Sequence, residues 1–298
     1  MKVTIIGGTG FVGNYLIDAL LDAGHEVRAL VRAGSENKLS KREGVTAVAG
    51  DLASADALRE AVQGSDAVIY NVGLLREFPR RGITFEQAQY QGVVDTIEAM
   101  KAAGVRRLLL MSAIGVKHPG TKYQSTKRRA EQAALGSDLD VTVLRPSVIF
   151  GDPRGTMEFA TQLYRDMVRP PFPAVAFPGV QMSPVAAQDV ADAFVSALSR
   201  DDSIGKTYEL AGPEALDWRT IVSRIAAAAG RKKLFVTMPI GLMRIGATLF
   251  DWLPFYPVTR DQLTMLAEGN TAPPGDLEDL IGRAPQPMTT EALAYLAR

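Results

Sequence analysis

The chain has 298 residues, of which 47% are hydrophobic and 22% are charged, as expected of a globular protein with a sizeable core. Lysine plus arginine and aspartate plus glutamate both number 33, and no basic block stands out, so the composition argues against nucleic acid as a partner. There is no cysteine and there are only two histidines, His25 and His118, which excludes disulfides, cysteine catalysis and a histidine-rich metal centre. We predict no metal site.

The sequence predicts a cytoplasmic protein. The first residues already have the pattern of a strand, which leaves no room for a signal peptide, and no apolar stretch has the length of a membrane-spanning helix. The lack of cysteine agrees with a reducing compartment.

The N-terminal stretch MKVTIIGGTGFVG combines a short apolar strand with a glycine-rich turn. Such a turn, placed between a buried strand and a helix, brings the backbone and the first helical N–H groups close to a phosphate. Glycines at this spacing also occur in plain tight turns, but the position between strand and helix favours a dinucleotide site. The predicted contacts are Gly7, Thr9, Gly10, Phe11, Val12 and Gly13.

Strand-like runs then alternate with helical patterns, which is typical of a parallel sheet built from βαβ units. The predicted strands cover residues 3–6, 26–31, 45–49, 66–71, 105–111 and 141–144. The predicted helices cover residues 11–21, 54–63, 84–103, 121–135, 188–198 and 218–229. We therefore predict an α/β fold, a Rossmann-type doubly wound parallel sheet with a small C-terminal α/β lobe.

The predicted domains divide near residue 152. Residues 1–152 are expected to form the dinucleotide-binding core, and residues 153–298 mostly a lobe for a substrate or partner, with some segments returning to the core. Within that second part, residues 169–178 are rich in proline and are predicted to be an irregular wall of a substrate pocket.

Polar and small residues follow the third and fourth strands, at the edge where ligands bind in such sheets. Asp51 and Leu52 follow the third strand, where the carboxylate can accept hydrogen bonds from adenine or from local backbone amides in a turn. Asn71 and Gly73 lie at the end of the fourth strand, beside the expected ribose and pyrophosphate.

The end of the second strand carries cations where an NAD site usually has an acid. Arg32 follows this strand directly and Lys38 lies shortly after it, with Glu36 between them. A guanidinium suits a 2′-phosphate through paired hydrogen bonds, so NADP(H) is favoured as the cofactor. NAD(H) is the alternative, with Arg32 as an ordinary surface residue.

The candidate chemistry lies after the fifth strand. Ser112 follows this strand, and Tyr123 and Lys127 are four residues apart on the next helix, hence on one face. An ammonium near a phenol lowers the phenol pKa, so Tyr123 could exchange a proton with a substrate oxygen, while Lys127 holds the nicotinamide ribose. A tyrosine and a lysine at this spacing also form ordinary surface pairs, and the position favours the catalytic interpretation.

Taken together, these motifs resemble an extended or atypical short-chain dehydrogenase/reductase of the epimerase/dehydratase-like kind over most of the chain. Three stretches are similar to the subgroup that contains the dehydrogenase-like accessory subunit of respiratory complex I and its bacterial relatives. They are NVGLLRE at 71–77, MSAIG at 111–115 and VTRDQL at 258–263.

The resemblance implies further roles. It makes Ser112, Tyr123 and Lys127 a catalytic triad, and it places Pro146 and Val148, in the stretch RPSVIFG, beside the nicotinamide. Members of the subgroup bind nicotinamide nucleotide firmly, while a substrate reaction is often not established.

Residues 239–256 are apolar on nearly every side, with only Arg244 and Asp251 charged. Burial in the small lobe and contact with a membrane surface or a protein complex are both open interpretations, and the second places the protein at the inner face of a membrane.

Three hypotheses for function follow. The first is an NADP-dependent oxidoreductase that acts on a carbonyl or alcohol, with an unknown small-molecule substrate. The second is a cofactor-binding structural or assembly protein of a respiratory or other membrane complex. The third is a redox-sensing regulator.

Overall fold

A parallel seven-stranded sheet forms the centre of the computed structural model, which describes residues 1–39, 42–74, 76–239, 241 and 260–297. The strands are β1 (Lys2–Ile6), β2 (Glu26–Val31), β3 (Val45–Ala49), β4 (Ala67–Tyr70), β5 (Arg107–Met111), β6 (Asp140–Pro146) and, later in the chain, β11 (Thr207–Leu210). Their spatial order is β11-β6-β5-β4-β1-β2-β3, and every neighbouring pair is parallel. The chain reverses its direction of winding between β1 and β4, so the predicted doubly wound Rossmann fold is confirmed.

Helices cover both faces of this sheet. One face packs against α1 (Phe11–Asp22), α6 (Ala187–Leu198) and α9 (Gly275–Ile281). The other face packs against α2 (Ala55–Val62), α3 (Gly92–Ala103) and α4 (Lys122–Leu135). Neighbouring residues in a strand point to opposite faces, and here Ile5 enters one core and Ile6 the other. Burial on both sides explains why the strands read as continuous apolar runs.

A third apolar cluster forms the smaller lobe. Its helices are α5 (Phe159–Leu163), α7 (Trp218–Ala228) and α8 (Arg260–Glu268). Its short strands are β7 (Ile149–Phe150), β8 (Ala174–Ala176), β9 (Gln181–Met182), β10 (Val185–Ala186), β12 (Leu216–Asp217) and β13 (Phe235–Thr237), which pair as β7–β10, β9–β12 and β8–β13. Trp218 anchors the cluster: its ring packs against Phe177, and its indole N–H donates to the carbonyl of Val175 at 3.1 Å.

The second half of the chain contributes both to this lobe and to the core. β11 completes the central sheet beside β6, and α6 and α9 pack on one of its faces. The division at residue 152 stays a prediction.

Two local expectations differ from the structure. Residues 169–178 are not irregular throughout, because Ala174–Ala176 form β8 and pair with β13. The predicted helix over residues 84–103 begins as a π-helix, Glu86–Gln91, before α3 continues from Gly92. The hydroxyl of Tyr70 occupies the space where a side chain at Gly92 would lie, and it donates to the carbonyl of Ala88 at 2.6 Å. The π-turn therefore surrounds a buried tyrosine.

Most of residues 239–256, the predicted membrane or partner segment, lies outside the described residues. Among the residues that are described, no helix is long and apolar enough to cross a membrane.

Candidate functional site

The glycine-rich turn joins β1 to α1 in a conformation that only glycine suits. Gly7 has a φ of +98°, and a Cβ atom there would lie 2.5 Å from the carbonyl oxygen of Asn71. A Cβ atom on Gly13 would collide with the carbonyl oxygens of Gly7 and Gly8. Side chains are therefore excluded where the turn approaches β4 and where α1 packs back on the turn.

The start of α1 presents backbone donors at this edge. Gly10 precedes the helix with extended dihedral angles and supplies no side-chain cap, and the N–H groups of Phe11, Val12 and Gly13 belong to the first helical turn. Together with the positive end of the helix dipole they form an anion site of the kind that holds a pyrophosphate. The cradle fits a dinucleotide. The neighbouring predicted contacts, Thr9, Phe11 and Val12, are all partly buried.

The residues after β3 and β4 lie along the same edge of the sheet. Asn71 follows β4, and its side-chain amide donates to the carbonyl of Gly7 at 3.4 Å, which ties the strand end to the glycine turn. Gly73 is exposed beyond it. Asp51 follows β3, and its carboxylate accepts from the amide of Ala53 at 3.0 Å. This is the turn contact that the sequence analysis gave as the alternative to an adenine contact. Leu52 packs against the core.

Two exposed cations follow β2. Arg32 comes directly after the last residue of the strand, and Lys38 ends a 3₁₀ turn, Glu36–Lys38. The carboxylate of Glu36 accepts from the amide of Gly34 at 3.1 Å. The only acidic residue between Arg32 and Lys38 thus accepts a hydrogen bond from the backbone of its own loop.

Lys127 lies where the ends of β4 and β5 meet. Its ammonium donates to the carbonyl of Met111 at 2.9 Å and to that of Val72 at 3.5 Å. It is buried, and burial lowers its pKa to about 8, against the opposing charge of Glu131.

Tyr123 lies one helical turn before Lys127 on α4. Its ring packs edge-on against Phe85, with 5.8 Å between centroids, and burial raises its pKa to about 12. The expected lowering of this pKa by the ammonium is therefore wrong for this geometry. The ammonium of Lys127 is directed to backbone carbonyls, so removal of the phenol from water dominates.

A capping box fixes the start of α4 two residues before Tyr123. The hydroxyl of Thr121 accepts from the amide of Gln124 at 3.2 Å, and the side chain of Gln124 accepts from the amide of Thr121 at 2.9 Å. This reciprocal pair sets the register of the helix, and hence the positions of Tyr123 and Lys127.

Ser112 faces a buried ion pair. Its Oγ is buried and makes no hydrogen bond of normal geometry, although it lies close enough to Glu131 to lower the pKa of that carboxyl. Arg145 donates to Glu131 at 2.7 and 2.5 Å, and Arg128 donates at 2.8 Å. Burial pushes the pKa of Glu131 up, but these hydrogen bonds outweigh it and hold the pKa below its ordinary value.

Glu131 and Arg145 were missed in the sequence analysis. Glu131 is four residues after Lys127, so the spacing alone could have predicted that both side chains lie on the same face of α4. Arg145 lies on β6, directly before Pro146. The carbonyl of Pro146 accepts from the amide of Ile114 at 3.0 Å, and Val148 packs against the third core.

The last residue of α8 and a residue shortly after this helix also reach this edge. Glu268 accepts from Lys117 at 2.6 Å and from Gln124 at 2.7 Å, and the side chain of Asn270 donates to the carbonyl of Ile114 at 3.3 Å. The Oδ1 atom of Asn270 is buried without a hydrogen-bond partner. No local pattern in the sequence pointed to these contacts, because they join residues far apart in the chain.

A separate cavity of about 300 Å³ lies between Tyr15, Asp152, Gln188 and Tyr295. None of the residues that line it belongs to the predicted site. In the described part of the chain, no group of three or more histidine, cysteine, aspartate or glutamate side chains could hold a metal ion.

The fold and the glycine cradle define a nucleotide-binding protein of the Rossmann class. More particularly, the chain belongs to the NAD(P)H-binding family, whose model matches residues 7–201.

Two relatives span most of the chain. NADH dehydrogenase (ubiquinone) 1 alpha subcomplex subunit 9, mitochondrial, of Mus musculus is 29% identical, and the match covers 99% of this chain and 79% of the relative. Ceramide reductase of Caulobacter vibrioides is 28% identical over 84% of this chain and 78% of the relative. The resemblance stated from the sequence, including the complex I subgroup, is confirmed.

A solved structure, that of gox2253, has the same fold. It superposes with a TM-score of 0.78 at 23% identity and covers 98% of this chain and 96% of its own.

Proposed function

We propose that the protein is an NADP(H)-dependent oxidoreductase that interconverts a carbonyl and an alcohol, with Tyr123 as the acid/base. The observation that carries this proposal is the position of Lys127. Its buried ammonium joins the ends of β4 and β5, one helical turn from Tyr123 and on the same sheet edge as the glycine cradle. A relative that is named a reductase, from Caulobacter vibrioides, supports the reaction class.

The roles of the side chains follow from their ionisation. When bound, the nicotinamide supplies or accepts the hydride. With a pKa of about 12, the phenol of Tyr123 is protonated near neutral pH and can donate its proton to a substrate carbonyl oxygen. Lys127, with a pKa of about 8, is mostly charged there, and its ammonium orients the ribose. Ser112 completes the proposed triad from the end of β5, and its hydroxyl has no competing hydrogen bond of normal geometry.

The preference for NADP(H) rests on the loop after β2. Arg32 and Lys38 are both exposed there, and Glu36 is engaged with the amide of Gly34 rather than available to a ribose 2′-hydroxyl. The guanidinium suits a 2′-phosphate, so NADP(H) is the proposed cofactor. The other proposed contacts are those at the glycine turn and at the ends of β3, β4 and β6.

The test is the variant Tyr123→Phe, with NADPH oxidation measured against a panel of aldehydes, ketones and quinones. The variant should lose at least about a hundredfold in kcat, because the proton donor is gone, while its NADPH dissociation constant stays within about threefold. Tyr164→Phe is the matched control, since Tyr164 lies in the smaller lobe. Equal turnover by both variants would contradict the assignment of Tyr123.

A second candidate function is structural. The relative from Mus musculus is named as a subunit of NADH dehydrogenase, and its match covers 99% of this chain. In that case the protein binds NADPH as a structural cofactor within a larger complex. The wild type would bind NADPH without turnover on any carbonyl of the panel, and Tyr123→Phe would retain full cellular function.

A further inference from the structure

Two segments of the smaller lobe place exposed apolar side chains next to exposed cations. The fractional exposures of Phe172, Leu234 and Val236 are 72%, 78% and 49%. Large apolar side chains are seldom this exposed in a group unless the surface contacts something else. Three of them in two short segments of the lobe therefore need an explanation.

Backbone pairing brings the two segments together. β8 and β13 are parallel partners, and the amide of Ala174 donates to the carbonyl of Leu234 at 2.8 Å. The ammonium of Lys233 donates to the carbonyl of Val168 at 3.1 Å and also to that of Pro170. The loop that precedes β8 is thus fixed against the residues that precede β13.

The alternation of β13 explains which side chains are exposed. Leu234 directly precedes β13 and Val236 lies within it; they are two residues apart and both are exposed, whereas Phe235 between them packs against the third core. Main-chain hydrogen bonds to the β8 segment hold this part of the chain in place, so Leu234 and Val236 cannot turn toward the core without breaking the pairing.

The same segments carry a local excess of positive charge. Residues 164–173 and 230–239 contain five cations and a single carboxylate, although the whole chain has 33 of each sign. The carboxylate, Asp166, pairs with Arg165 at 2.7 Å. We call the remaining exposed cations and the exposed large apolar side chains of these two adjacent segments the apolar–basic patch: Arg169, Phe172, Arg231, Lys232, Leu234 and Val236.

We propose that the apolar–basic patch docks on the surface of an anionic phospholipid bilayer. Phe172, Leu234 and Val236 would enter the boundary between head groups and acyl chains, while Arg169, Arg231 and Lys232 pair with lipid phosphates. A membrane surface meets both features at once, since it offers apolar depth beneath a layer of negative charge. In sequence, β13 leads directly into the apolar stretch 239–256.

The test uses the full chain and vesicles of phosphatidylcholine, with and without phosphatidylglycerol. We expect the wild type to co-float only with the vesicles that contain phosphatidylglycerol, and the bound fraction to fall as salt is added. The double variant Arg231→Glu, Lys232→Glu should bind at least about tenfold more weakly, because each cation near such a surface contributes to binding. Phe172→Ser, Leu234→Ser should weaken binding to a similar degree.

Matched controls change similar residues elsewhere. Ile204→Ser removes an apolar side chain that is 38% exposed, and Arg59→Glu, Lys101→Glu reverses two cations on α2 and α3. Both should bind vesicles as the wild type does. NADPH affinity should be unchanged in every variant, which shows that each has folded and separates this proposal from that of the nucleotide site.

Three results would overturn the proposal. They are no vesicle binding by the wild type, equal binding by the patch variants, and equal weakening by the control variants. A concentration-dependent dimer that Leu234→Ser disperses, without vesicle binding, would instead assign the patch to a second copy of the chain.

Discussion

The ammonium of Lys127 lies 2.9 Å from the carbonyl oxygen of Met111, the last residue of β5. Because the same ammonium reaches the carbonyl of Val72 beyond β4, it joins two strand ends at the edge where α1 begins. A buried cation held by main-chain carbonyls is positioned by the sheet itself. The pKa of Lys127, and its contribution to the free energy of unfolding, therefore depend on how the ends of β4 and β5 are placed.

The pKa of Lys127 leads to a prediction for stability against pH. Burial lowers this pKa from 10.5 to about 8, so between these values the unfolded chain binds more protons than the folded chain. The contribution of Lys127 to stability is thus least favourable below about pH 8 and improves as the pH rises toward 10.5. Relative to Lys127→Met, the wild type should gain about 1.5 kcal/mol in free energy of unfolding between about pH 8 and about pH 9.5.

Urea titrations at both pH values measure this difference. Lys101→Met is the control, since Lys101 is exposed on α3 and its variant should follow the wild type across the range. A constant gap between wild type and Lys127→Met would show that the ammonium is not buried as described.

The pair of Glu131 and Arg145 should matter for stability more than surface pairs do. Glu131 is fully buried and Arg145 is only 18% exposed, so Glu131→Gln leaves this guanidinium with only the more exposed carboxylate of Glu209, at 3.9 Å, as a countercharge. We expect a loss of about 3–5 kcal/mol in free energy of unfolding. Glu86→Gln breaks an exposed pair with Arg129 and should cost no more than about 1 kcal/mol. Similar small losses in both variants would refute a structural role for the buried pair.

The glycine turn predicts a sharp contrast between two glycines. A Cβ atom on Gly13 would collide with the carbonyl oxygens of Gly7 and Gly8, while one on Gly275 would meet no atom within 4 Å. Gly13→Ala should therefore lower NADPH affinity at least about tenfold, because the turn must shift away from the phosphates. Gly275→Ala should leave affinity unchanged. Isothermal titration calorimetry gives both values, and wild-type affinity in Gly13→Ala would argue against pyrophosphate binding at this turn.

Arg32 predicts which nucleotide is preferred. Removal of a charge-assisted hydrogen bond to a 2′-phosphate costs about 1.5–3 kcal/mol, so Arg32→Ala should weaken NADPH binding by about 10-fold to 150-fold. NADH lacks this phosphate, and its affinity should change by less than about twofold. Arg59→Ala removes an exposed arginine on α2 and serves as the control. Equal effects on NADPH and NADH would contradict the proposed role of Arg32.

The sheet could be predicted from the sequence because strands buried on both faces carry uninterrupted apolar runs. Glu26–Val31 and Val45–Ala49 have the predicted bounds. The helix predicted from residue 54 is observed as α2, and Ser54 caps it by accepting a hydrogen bond from the amide of Ala57 at 3.2 Å. Local patterns of this kind depend on neighbours in the chain. The φ of +98° at Gly7 and the contact of Gly13 with the turn before it are equally local. The close approach of Gly7 to the carbonyl of Asn71, in contrast, joins residues 64 positions apart.

Other parts of the site depend on contacts between distant residues. The pKa of Tyr123 was predicted to fall, but burial against Phe85 raises it, and burial depends on how the loop before the π-helix folds over α4. Asn270 reaches Ile114 across 156 positions of the chain, which no spacing rule anticipates. β8 was not predicted within its proline-rich stretch, because its partner, β13, lies about 60 residues away in the chain.

A fluorescence titration of the wild type with NADPH and with NADH, under identical salt and pH, tests most directly whether the protein binds a nicotinamide dinucleotide and prefers NADP(H). We expect saturable binding of both, with NADPH bound at least about tenfold more tightly through the 2′-phosphate and Arg32. Tighter binding of NADH would contradict the cofactor assignment. Binding of neither nucleotide would contradict the glycine cradle as a dinucleotide site, and with it the proposed chemistry of Tyr123 and Lys127.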